Sequence, residues 1–61
     1  MIRIIGTNGC SRCIAKKNEY TKKQIDFSYE LLENLSQEEQ DKILKYAEEN
    51  KIFSFPIIIE N

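Results

Sequence analysis

The chain has 61 residues, enough for one small domain (1–61) whose core is too limited to be robust without a disulfide, a metal or a partner chain. It is 41% hydrophobic and 31% charged with two glycines and one proline, a balance that excludes disordered, fibrous and low-complexity classes. Net charge is −1 and the first half is the basic half, but its cations are not interleaved with aromatic residues, so a nucleic-acid surface is not expected.

Met1 to Ile5 (MIRII) is rich in β-branched residues and reads as a strand covered on both faces except at its start, where Arg3 stands. Thr7, Asn8 and Gly9 break it. From Ser11 to about Gln24 the chain lacks Gly and Pro and is rich in Lys, which predicts a helix with Cys10 near its N-cap. Its apolar stripe is poor: Cys10, Cys13, Ile14 and Ile25 share a face, but so do Lys17 and Thr21.

Asp26 to Leu32 alternates Phe27, Tyr29 and Leu31 with polar neighbours, a strand pattern. Ser36 followed by Glu39 has capping-box spacing and opens a second helix, with Leu35, Ile43, Leu44 and Ala47 as its buried face and Asn50 as its stop. SFPIII then predicts a loop, a proline and a third strand at Ile57 to Ile59, and Asn61 favours a turn beyond it. The order β-α-β-α-β predicts an α/β fold in which the first two strands are parallel neighbours with helices packed on the sheet. No apolar stretch approaches the roughly 20 residues that span a bilayer and no signal peptide opens the chain, so a cytoplasmic protein without membrane contact is expected.

The chemistry-bearing motif is Cys10-Ser11-Arg12-Cys13. A cysteine at a helix N-terminus meets unpaired N–H groups and the positive end of the helix dipole, and both favour the thiolate. Cys10, ahead of the helix, is expected to be exposed and the more acidic of the two, with Cys13 partly covered in the first turn. Cys10 could then attack a target disulfide and Cys13 resolve the mixed disulfide, a reaction that needs no histidine. Arg12, Lys16 and Lys17 are candidates to support the thiolate. A tetrahedral zinc site or an iron–sulfur cluster would need ligands from two chains, whereas copper(I) needs only two thiolates; both stay open as metal-binding alternatives. Two small buried hydrophobes are a poorer account, because Thr7, Asn8, Ser11 and Arg12 surround the pair. Phe55-Pro56, an aromatic before proline, is a candidate cis bond.

With MIRII, NGCSRC, IDFSYELL, the capped helix from Ser36 and SFPIII in order along the whole chain, the sequence resembles the glutaredoxins of the thioredoxin-fold superfamily. SFPIII stands where that family carries Thr-Val-Pro before its third strand. The resemblance implies a shortened version of that fold, with the third strand antiparallel after a cis-proline at Pro56. It implies a thiol–disulfide oxidoreductase in which Cys10 is the nucleophile, Cys13 the resolving thiol, Phe55 pairs its backbone with the substrate, and Arg12 and Pro56 contact it. The partner would be a protein disulfide or glutathione, with glutathione or a reductase as electron source and no bound cofactor or metal. Ser11-Arg12 replaces the family's Pro-Tyr, Thr7 stands where many members have lysine, and the fourth strand, third helix and glutathione-holding Gly-Gly have no counterpart. A sheet so shortened implies an open edge through which two copies could form a homodimer.

Overall fold

A computed structural model describes residues 1–60. It consists of β1 (Ile2–Gly6), α1 (Ser11–Lys22), β2 (Phe27–Leu31), a 3-10 turn (Leu32–Asn34), α2 (Gln37–Glu49) and β3 (Ile57–Glu60). The turn expected at Asn61 lies outside the described residues. The strands form one mixed sheet in the order β2-β1-β3. β1 is parallel to β2, with Ile4 opposite Tyr29, and antiparallel to β3, with Ile4 opposite Ile58. This layout is compatible with a thioredoxin-like fold, and the Phe55–Pro56 bond before β3 is cis. No helix among the described residues is long and apolar enough to cross a membrane.

The central position of β1 explains its composition. Successive strand residues point to opposite faces, and Ile4 and Ile5 are both wholly buried, so each face of β1 is covered. On one face Ile5, Ile57 and Ile59 meet Ile43 and Ala47 of α2, with Leu32, Leu35, Tyr46, Ile52 and Phe55 around them. Burying an isoleucine such as Ile5 or Ile43 is worth about 1.5–3 kcal/mol. On the other face lie Ile4, Tyr29 and Phe27, against α1.

The α1 contact explains the weak apolar stripe in the sequence. The line that meets the sheet is Cys13, Lys17 and Tyr20, spaced i, i+4, i+7. Cys13 is fully buried, Lys17 Nζ lies 5.2 Å from the Tyr29 ring centroid, and Tyr20 packs edge-on against Phe27 at 6.0 Å. Lys17 stays exposed on this line, with its ammonium set over the face of the Tyr29 ring. Ile14 and Ile25, expected to share the buried face, are instead 53% and 37% exposed. Leu44, expected in the buried face of α2, is 47% exposed, because Ile43 and Ala47 already fill that seam.

Arg3, at the open end of β1, is held by Glu30 of β2. Its Nε and Nη2 donate to Glu30 Oε2 and Oε1 at 2.9 and 3.0 Å, and Ser28 Oγ donates to the same carboxylate. The Arg3 hydrogen bonds, opposed by desolvation, hold the Glu30 carboxyl below its ordinary range. Glu39 of α2 stands 3.7 Å from Arg3, so one guanidinium ties two strands and a helix together.

α2 begins as its sequence predicts, with Ser36 Oγ accepting from the Glu39 N–H. Both helices end in the same device. Beyond α1, the N–H groups of Gln24 and Ile25 donate to Thr21 and Tyr20; beyond α2, those of Lys51 and Ile52 donate to Glu48 and Ala47. These are the paired bonds of a Schellman motif, and they require a left-handed residue, supplied by Gln24 (φ 58°) and Lys51 (φ 57°). Neither is glycine. Gln24→Gly is therefore expected to stabilise the fold by about 0.5–1 kcal/mol, read as an upward shift of the urea midpoint at unchanged slope.

Candidate active site

The site is built from the loop that turns β1 into α1. Cys10 N–H donates to the Thr7 carbonyl at 3.3 Å, and Gly9, at φ +78°, occupies the third position of that turn. A positive φ there is the requirement of a type II turn, which glycine meets without steric cost. The turn delivers Cys10 in extended conformation as the N-cap of α1. The usual capping residues offer a side-chain oxygen to the first free N–H groups; here the acceptor is sulfur, with Cys13 N–H donating to Cys10 Sγ at 3.1 Å.

Cys10 and Cys13 are joined in a disulfide, with their Cα atoms 5.3 Å apart. Cys10 is half-buried and Cys13 has no exposed surface. The inequality expected from the sequence is therefore present, and it has a packing cause: Cys13 is the first residue of the α1 line that meets the sheet, whereas Cys10 precedes it. A Cys-x-x-Cys pair at disulfide distance is consistent with a redox-active or a metal-binding site. Among the described residues no group of three or more His, Cys, Asp or Glu side chains is placed to share a metal ion.

Two residues the sequence did not single out complete the surroundings. Gly6, the last residue of β1, lies under Cys13. A Cβ built on it would fall 2.6 Å from Tyr29 Oη and 3.1 Å from Cys13 Cβ, so the absence of a side chain is what admits both groups. Glu33, in the turn after β2, reaches across to the loop ahead of Cys10. Its Oε1 accepts from Thr7 Oγ1 at 3.1 Å and its Oε2 from Asn8 N–H at 2.7 Å. Its own backbone N–H, with the Asn8 and Thr7 donors, holds its carboxyl below the ordinary range against desolvation. No local signal marks Glu33, which lies 25 residues from Asn8 in the chain.

The cations are arranged differently from the expectation. Lys16 pairs with Glu19 at 3.6 Å, and Lys17 is committed to the Tyr29 ring, so neither has a contact with the sulfurs. Arg12 is exposed and lines a groove with Phe55 and Pro56, which brings together the three residues expected to contact substrate. The register between β1 and β3 ends with Ile5 opposite Ile57, so Pro56 immediately precedes the first paired residue of β3. The β-α-β-α-β layout and the Cys10–Cys13 disulfide stand on the geometry alone, for comparison with family models, curated proteins and solved structures gives no match to this chain.

Proposed function

We propose that the protein is a glutaredoxin-like thiol–disulfide oxidoreductase. The observation that carries this reading is the inequality of the two sulfurs: one caps a helix and accepts an N–H at partial exposure, the other is buried behind it. In the reduced form the same N–H and the α1 dipole favour negative charge on Cys10, because a hydrogen bond to an ionised acceptor is stronger than one to a neutral acceptor. Cys10 Sγ attacks a substrate disulfide R–S–S–R′; the S–S bond breaks, R′–S⁻ leaves, and a Cys10–S–S–R bond forms. Cys13 then attacks Cys10 Sγ, releasing R–S⁻ and closing the Cys10–Cys13 disulfide. The two leaving thiolates take up protons from solvent and from the Cys13 thiol. Two electrons pass from the dithiol to the substrate, and a thiol reductant, either glutathione or a reductase, restores them.

The test is alkylation of the reduced protein across pH. Cys10 should react with an inflection well below the roughly 8.5 of a free thiol, with Cys13 slow throughout. Two thiols that titrate alike would refute the reading. A titration with copper(I) under reducing conditions examines the alternative, since a metal carrier binds one ion tightly through both thiolates and shows no catalysed disulfide reduction.

A further inference from the structure

Beside the groove of Arg12, Phe55 and Pro56 lies a second cleft, walled by Leu44, Ala47, Ile52, Phe53 and Ile57. The two share the segment from Ile52 to Phe55, so they form one continuous track running from Arg12 and Pro56 to α2. The cleft is apolar apart from Glu48 and Ser54, whereas the groove carries Arg12, Lys16 and Lys51 together with the carboxylate of Glu19. Lys16 is engaged with Glu19; Arg12 and Lys51 make no ion pair among the described residues. Shared by cleft and groove is Phe53, 81% exposed, the most exposed large hydrophobic side chain among the described residues. The backbone groups of Phe53, Ser54 and Phe55 have no backbone partner among the described residues, which suits a chain laid alongside them.

We infer that this track is a docking surface for an extended polypeptide segment that carries a large apolar residue and carboxylates near its cysteine. The apolar residue enters the cleft behind Phe53, and the carboxylates face Arg12 and Lys51. As a statement about substrate, this rests on the oxidoreductase reading above. It names the class of disulfide selected: an acidic, partly apolar polypeptide in preference to glutathione disulfide, which has carboxylates but no large apolar group for the cleft.

The experiment separates docking from chemistry. A short peptide with leucine and two aspartates flanking serine, in place of the cysteine, is titrated into the oxidised protein alongside a control peptide with serine for leucine and lysine for aspartate. The first peptide should bind about tenfold more tightly, with Phe53→Ser removing the leucine preference and Lys51→Ala weakening binding at low salt. Equal binding of the two peptides, or an unchanged preference in Phe53→Ser, overturns the inference. Phe53 is exposed, so its replacement leaves the core intact. The cysteine-containing peptide, supplied as a disulfide, should be reduced faster than glutathione disulfide. Selective binding without reduction upholds the docking surface and counts against the oxidoreductase reading, while reduction at equal rates counts against the docking surface alone.

Discussion

Cys13→Ser, mixed with an oxidised disulfide substrate, is expected to accumulate a covalent adduct on Cys10, while Cys10→Ser accumulates none and loses turnover altogether. The expectation follows from the two sulfur environments. Cys10 is the accessible sulfur and the one held by an N–H, so it makes the first bond; Cys13 lies sealed against the sheet and can reach only Cys10. Without Cys13 the mixed disulfide has no internal resolving thiol and persists until an external one arrives. Mass spectrometry under non-reducing conditions reads the adduct directly, and adducts of equal yield in the two variants would contradict the assignment of roles. The proper stability reference is the reduced wild type. Closing a loop between residues 10 and 13 contributes about 2 kcal/mol by chain entropy, and both variants lack that link.

Gly6→Ala should lower stability by about 1–3 kcal/mol, through overpacking rather than through backbone conformation. The added methyl would sit 2.6 Å from Tyr29 Oη and 3.1 Å from both Tyr29 Cζ and Cys13 Cβ. The tyrosine ring is rigid and lies beneath Lys17, so it must move as a unit or push α1 outward. For a chain of this size, with roughly 3–9 kcal/mol of total stability, the loss is a large share and would appear as an earlier urea midpoint. The second arm is Tyr29→Phe in the Gly6→Ala background, which removes the nearest atom. It should recover part of the loss, leaving the contacts to Cζ and Cys13. A double variant no more stable than Gly6→Ala would show that the tyrosine hydroxyl is not the obstacle. Because Cys13 Cβ borders the same space, Gly6→Ala should also slow resolution of the mixed disulfide by more than it slows Cys10 alkylation.

Much of the fold is legible along the chain. The run of β-branched residues at Ile2 to Ile5, the alternation from Phe27 to Leu31, and the capping pair Ser36 and Glu39 each act within a few residues, and each element lies where those signals place it. The position of Cys10 as an N-cap is equally local, since Gly9 and the absence of helix breakers after Ser11 suffice to define it. The buried faces were harder to read. Leu44 and Ile14 are as apolar as their buried neighbours, and only the placement of the sheet decides that Ile43 and Cys13 face inward instead. Lys17 shares the line of Cys13 and Tyr20 yet stays exposed, as a solvated cation does, and only the folded sheet shows that its ammonium lies over Tyr29.

By itself, then, the sequence determined the order of elements, the helix-capping cysteine and the presence of a second cysteine one turn later, all of which depend on interactions between near neighbours. Tertiary structure alone decided that Gly6 must lack a side chain and that Glu33 ties down the loop ahead of Cys10. Those pairings join residues far apart in the chain through strand register and packing. A linear pattern records which residues are apolar or charged, but not which partner the folded sheet will bring within a few ångströms of each.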